Sequence, residues 1–290
     1  MSSPSVLAPW LPPVRTLRLL CLATEDQLLP PLPSTALHGA LGQTLPARLA
    51  RILTPDAEEL DIPGVSGQAP SAMVLAPERT ALGLPRLELA RGETISFRFG
   101  LIGDEAWSHH DEILRAITLA LEGGIGVRPG NSGRGRPALE VVESVELVAI
   151  SGHSEPRESQ RIVWLTPVRL VQGGHVTANI DGETLTSTLW RRAEILARVH
   201  GPDLVPFPDR PDSPIDIIDS RLHVVSVSRY SSTQNQKMTW PGLVGFLDLT
   251  GPALKPLWSV LRFCEQVQVG KATSFGFGRF VLAGRSGEVP

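Results

Sequence analysis

The feature that most restricts how this chain can fold is an order of elements that occurs twice. Residues 14–23 (VRTLRLLCLA) read as a buried strand, almost continuous in apolar residues. A helix over 34–51 follows, with Leu37, Leu41, Leu45 and Leu49 repeating every four residues. Ser34 or Thr35 is its expected N-cap, and Pro46 is expected to end or kink it. Beyond an acidic, Pro- and Gly-rich connector come a short strand near 72–76 and an alternating one, ETISFRFGLI, over 93–102. The next helix opens on "SHHD", with Ser108 and Asp111 as a capping-box-like pair, and runs through Ile113, Ile117 and Leu121 to Gly123 and Gly124. The strand LEVVESVELVAI (139–150) closes this half.

The second half repeats the order. A strand over 160–171 precedes a helix over 184–200, with Leu185, Leu189, Leu196 and Val199 on one face and Gly201-Pro202 as its stop. Strands over 219–231 and 241–250 follow, then a helix over 252–266 that buries Leu254, Leu257, Leu261 and Cys264. A last strand, GRFVLAG, ends the pattern. Two β-α-β-β-α-β units in tandem predict an α+β protein of two ferredoxin-like (RRM-like) domains with antiparallel sheets. The expected domains are 1–152 and 153–290. A chain of 290 residues with 42 % hydrophobic residues has the length and the apolar material for both.

Several classes drop out at once. No run of 18 uncharged apolar residues exists, and the N-terminus lacks the basic start and apolar centre of a signal peptide, so a cytoplasmic protein with no membrane partner is expected. Cys21 and Cys264 stand far apart and supply neither a disulfide framework nor a zinc set. The histidines and carboxylates show no ligand spacing, so no metal and no cofactor are expected.

The net charge is −3, yet acids are unevenly spread. Acids number 30 in 290 residues, but none falls in 27–55, 123–139, 220–247 or 266–287. Those windows hold His38, Arg48 and Arg51; Arg128, Arg134 and Arg136; Arg221, His223, Arg229 and Lys237; and Lys271, Arg279 and Arg285. If they meet in space they form one positive face on a mildly acidic protein, the footprint of a phosphate-backbone partner. Buried segments would also be poor in acids, which is the ordinary alternative.

The last window contains VQVGKATSFGFGRFVLAG (267–284), with Gly270, Gly276 and Gly278 around Lys271 and Arg279. It is not a Walker A loop. The first glycine of that motif would fall at Glu265, Lys271 is followed by Ala272, and the loop runs from helix into strand. Its glycines still allow a close backbone approach, and its exposed amides with two cations suit phosphate. The competing reading is a tight turn whose Phe275, Phe277 and Phe280 are core. Among the seven histidines, His38 differs in lying near the start of the first helix inside an acid-free window. A helix N-terminus favours the neutral imidazole needed for base work. The others read as helix-start, strand or surface residues.

Taken together these stretches resemble a known family. VGKATSFGFGRFVL is similar to the glycine-rich signature of the CRISPR-associated endoribonucleases of the RAMP superfamily, which cut repeat-containing precursor RNA into guide units. SRYSSTQNQKMTWPGLVGFLDL (228–249) resembles the segment that precedes that signature. STALHGALGQTL (34–45) resembles the family's first helix, and GGIGVRPGNSGRGRPALEVVE its central Gly/Arg segment.

The resemblance implies metal-independent cleavage by attack of a ribose 2′-OH, leaving a 2′,3′-cyclic phosphate and a 5′-OH. It implies His38 as base or acid, with Arg48, Arg51 or Lys237 stabilising the phosphorane. It also implies an RNA grip made by Gly270, Lys271, Gly276, Gly278 and Arg279, with Arg128, Arg134, Arg136, Arg229 and Tyr230 contributing. The expected partners are CRISPR repeat RNA, as hairpin or single strand, and other effector subunits, the protein being a monomer or homodimer. The chain departs from the family in placing its only tyrosine, Tyr230, in the second half. A subunit that binds guide RNA without cutting it is the alternative, and a small-ligand regulatory protein with an apolar pocket between the halves a more distant one.

Overall fold

The computed structural model of the chain describes residues 8–58, 60, 69–84, 86–129, 136–147, 158–173, 175–202, 205–231 and 236–283, with the backbone alone at 229–231 and 236–237. The first half comprises β1 (Val14–Ala23), β2 (Gln27–Leu29), α1 (Ser34–Thr44), α2 (Ala47–Leu53), β3 (Met73–Pro77), β4 (Leu87–Leu89), β5 (Thr94–Ile102), α3 (Asp104–Ser108), α4 (His110–Glu122) and β6 (Leu139–Leu147). The second comprises β7 (Gln160–Val168), β8 (Val171–Gln172), β9 (His175–Val176), α5 (Gly182–His200), β10 (Asp216–Ser231), β11 (Gln236–Thr250), α6 (Trp258–Val267) and β12 (Phe280–Ala283).

Each half builds one antiparallel sheet, in the orders β3-β5-β1-β6 and β10-β11-β7-β12. Counting only the main strands of each half, both orders are second, third, first, fourth. The tandem ferredoxin-like arrangement expected from the sequence is therefore present. The small pairs β2-β4 and β8-β9 are additions that the apolar pattern does not predict. The expected boundary at 152/153 lies outside the described residues.

Several expected bounds shift for local reasons. Pro46 excludes the helical region for the residue before it, and Leu45 is extended at φ −75°, ψ 122°, so the helix expected over 34–51 is two, α1 and α2. The helix expected to open at Ser108 opens at His110 as α4, and Ser108 instead ends the short helix α3, which starts at Asp104 after Gly103 turns at φ 86°. Ser108 therefore does not cap: its Oγ donates to the Glu105 carbonyl at 2.7 Å. Helix α5 is capped by Asp181, whose carboxylate accepts from the Thr184 amide at 2.7 Å. Helix α6 begins at Trp258, since the residues from Pro252 form turns.

Leu37 and Leu41 of α1 and Ile113 and Ile117 of α4 pack with Leu19, Phe97 and Phe99 on one face of the first sheet. Leu185 and Leu189 of α5 and Leu261 and Phe263 of α6 cover the second sheet. That second core also takes in Leu11, Val14, Val74 and Ile102 of the first half, so the halves share apolar surface. Polar bonds lock the same seam. Gln268 Nε2 donates to the Leu75 carbonyl at 3.1 Å, and an Arg279 guanidinium nitrogen donates to that of Pro77 at 3.0 Å. The C-terminal loop is thereby pressed against β3 and the start of α1.

Candidate active site

The loop between α6 and β12 has its shape dictated by backbone bonds. The Gly278 amide donates to Pro167 O at 2.9 Å, Val269 N to Gly278 O at 3.1 Å, and Lys271 N to Arg169 O at 2.9 Å. Within it Thr273–Phe275 make a short 3₁₀ turn. Gly276 and Gly278 follow at φ 91° and 75°, a region that side chains disfavour. Space forbids a side chain too. A Cβ on Gly276 would overlap Ser34 Oγ and stand 3.0 Å from the Leu75 carbonyl, and one on Gly278 would overlap the Val269 carbonyl.

This close approach carries α1 onto the loop. Ser34, read from the sequence as an N-cap, does not cap: Pro33 occupies that position without a side-chain bond. Ser34 Oγ donates instead to the Phe275 carbonyl at 2.8 Å, across 241 residues of chain. Thr35, the other candidate cap, donates to the Leu32 carbonyl. One turn on, the half-buried His38 ring lies 3.9 Å from the Phe275 ring, tilted by 35°. As the fifth residue of α1 it sits beyond the first turn, where the helix-end field fades. Its ring faces the loop through Phe275. Trp240 of β11 meets Phe275 edge-on at 5.2 Å and Phe277 at 5.8 Å. Above Trp240 lies the Arg169 guanidinium, 5.2 Å from the ring centre, with its Nε donating to the Pro241 carbonyl at 3.0 Å.

The acid-free windows do adjoin. Ser34 joins the first to the last, Trp240 joins the third to the last, and a bridge between Leu28 and Val127 joins the first to the second. The cations within them have different fates. Lys271 is exposed. Arg279 turns inward, its backbone amide on Thr166 Oγ1 and its guanidinium on Pro77, and burial lowers its pKa to about 10, with Arg98 nearby adding to the shift. Arg128 forms a two-nitrogen pair with Glu25 at 2.6 and 2.7 Å, a bond that holds the Glu25 carboxyl below its usual range. Arg48 pairs with Glu112 of α4, while Arg51 and Arg136 are exposed. In the β10–β11 hairpin Tyr230 stands opposite Lys237 and Arg229 opposite Met238, continuing past the Val227–Trp240 pair; the side chains of Arg229, Tyr230 and Lys237 and all of Arg134 lie outside the described residues.

Phe277 and Phe280 are core, as one reading of the loop expects, but Phe275 is half-buried and faces His38. Ser34, Phe275, Trp240 and Arg169 also lie at this junction, and the sequence reading did not select them. No local pattern distinguishes them, since each gains its role from a contact between distant segments. His200, expected at the surface, lies between the halves with its Nε2 2.9 Å from the Pro70 carbonyl. Both cysteines are buried, and burial raises each thiol to about 12. Among the described residues no group of three or more His, Cys, Asp or Glu is placed to hold a metal ion.

Comparison with known proteins bears out the resemblance read from the sequence. The family model described as CRISPR-associated endoribonuclease Cas6 matches residues 162–280, which include the loop and the segment before it. Curated protein sequences yield no match. A Thermus thermophilus Cas6 in a product complex is similar in structure, at 17 % identity and TM-score 0.58, covering 93 % of this chain and 99 % of that one. A Cas6-related protein from Pyrococcus furiosus follows at 14 % identity and TM-score 0.53, over 94 % of this chain and 99 % of that one. A chain of a partial Cas6-RT-Cas1–Cas2 complex matches 98 % of this chain with 48 % of its own length, at 12 % identity and TM-score 0.59. At such identities the structural likeness speaks for the fold.

Proposed function

We propose that this protein is an endoribonuclease of the Cas6 type that cuts CRISPR repeat RNA in precursor transcripts, with His38 as its general base or acid. The observation that carries the reading is the junction itself. The one histidine of α1 meets the glycine-rich loop of the other half through Phe275, beside Trp240, where acid-free segments converge. The reaction needs few parts. A ribose 2′-oxygen bonds to the adjacent phosphorus, its proton passes to a base, the P–O5′ bond breaks, and the departing oxygen takes a proton from an acid. The products are a 2′,3′-cyclic phosphate and a 5′-OH.

An imidazole beside the loop suits either proton transfer, and the Phe275 ring against it limits its freedom of orientation. The phosphorane's extra charge would fall to a cation. Lys237, on the strand leading to Trp240, and Arg51, exposed on α2, are better candidates than Arg48, which Glu112 already engages. RNA is the expected partner, and assembly with other Cas subunits would follow the similarity to the Cas6-RT-Cas1–Cas2 chain. Among the described residues no helix is long and apolar enough to cross a membrane.

The test is a cleavage assay on the matching repeat RNA in the presence of EDTA. The expected result is one cut with a cyclic-phosphate end. Replacing His38 by Ala should slow single-turnover cutting by about 10²–10⁴-fold, the usual share of general acid–base catalysis, with RNA binding nearly intact. Equal rates for the two proteins would remove His38 from the mechanism. Tight binding without any cut would favour a subunit that only holds guide RNA.

A further inference from the structure

The loop also walls a second feature. On its α5 side, Gly270 and Lys271 border a pocket of about 260 Å³ whose other walls include Arg169, Thr188, Arg191 and Arg192. Four cations converge there, and among the described residues no carboxylate lines it. Arg191 and Lys271 are exposed, and Arg169 is half-buried.

Arg192 is held fast. Its guanidinium donates to the Val267 carbonyl at 3.0 Å and to that of Gln268 at 3.2 Å. Those carbonyls end α6, so the negative pole of that helix offsets part of the charge. Neutral carbonyls nevertheless leave this half-buried cation with no carboxylate partner among the described residues, and charges taken out of water are normally paired. Burial brings its pKa down only to about 10, so it remains charged at neutral pH.

Arg169 belongs to both places. It lines the pocket, and its guanidinium lies over Trp240, whose edge meets Phe275 beside His38. Along the loop Lys271 and Phe275 are four residues apart, at most about 14 Å. The pocket is thus the far end of a basic and aromatic strip that begins at His38.

We propose that this pocket binds a backbone phosphate of the bound RNA a few nucleotides from the cut, with Arg169, Arg191 and Lys271 as its donors and Arg192 as a fixed charge beneath. The proposal rests on the RNA-cutting reading above. A free phosphoanion has the same chemistry, but the shared Arg169 ties the pocket to the path of a chain. The test measures repeat-RNA affinity over a salt series for the full-length protein and for Arg191→Ala, Arg191→Lys and Thr188→Glu, with melting temperatures to verify folding.

Arg191→Ala should lower the slope of log affinity against log salt by about 0.7, one phosphate contact on a single strand. Arg191→Lys should keep the slope, and Thr188→Glu should weaken binding about tenfold. Unchanged affinity and slope in Arg191→Ala and Thr188→Glu, with wild-type protein still binding and cutting, overturns the subsite and leaves the nuclease reading standing. Heat protection by inorganic phosphate that disappears in Arg191→Ala, without any change in RNA slope, assigns the pocket to a free anion and overturns the RNA assignment. Wild-type protein that neither binds nor cuts repeat RNA overturns both.

Discussion

At Gly276 the backbone turns at φ 91° so close to Ser34 that a Cβ would overlap its hydroxyl oxygen. Substitution by Ala would add about 1–2 kcal/mol of left-handed strain and force the loop off α1. Gly276→Ala should therefore lower the melting temperature by several degrees and slow single-turnover cutting at least tenfold. Gly39, adjacent to His38, gives the contrast. It stands mid-helix with open space around its missing side chain, so Gly39→Ala should stabilise the protein by about 0.5–1 kcal/mol. Thermal denaturation of both variants checks the pair, and equal shifts would remove the proposed role of Gly276. That glycines at 276 and 278 mark a close approach is legible in the sequence. That the approach of Gly276 is to Ser34, in the other half of the chain, is not.

Elements decide what identical side chains do. Lys271 and Arg279 both read from the sequence as phosphate grips, yet one sits on the outer turn of the loop and the other on its inward return to β12. Arg279 serves the seam between β3 and the second sheet through the carbonyl of Pro77. Arg279→Ala should cost about 1–3 kcal/mol, since it leaves a buried acceptor unsatisfied, while changing the RNA affinity of the folded protein less than Lys271→Ala does. Chemical denaturation together with RNA titration separates the two effects. A stable Arg279→Ala that has lost RNA binding would return Arg279 to the grip. The break between α1 and α2 at Pro46 was legible because proline acts on its immediate neighbour. The failure of Ser34 and Ser108 to cap was not, because each hydroxyl had another carbonyl within reach, that of Phe275 or of Glu105.

Across the whole molecule the halves are joined by contacts that titrate as well as by apolar packing. His200 ends α5 in the second half and faces the Pro70 carbonyl of the first. Burial lowers its pKa, the Pro70 bond opposes that, and Arg192 adds to the lowering while Glu105 counters it. An unfolded chain takes up this proton near pH 6.5, whereas the folded one resists it to lower pH. The stability that neutral His200 provides is therefore complete above about pH 6.5 and is lost as pH falls through its native pKa. Melting temperature should fall more steeply below pH 6.5 for wild type than for His200→Gln, which keeps a donor for Pro70. Parallel curves would show that the seam does not depend on this proton. The sequence by itself determined the repeated β-α-β-β-α-β order, the stop at Pro46 and the special backbone of the loop, because periodicity, ring sterics and glycine's freedom all act within a few residues. Only the tertiary structure decided that His38 meets Phe275, that Arg279 turns inward and that four cations share one pocket, because those contacts arise where segments far apart in the chain pack together, and no local pattern encodes which segments those will be.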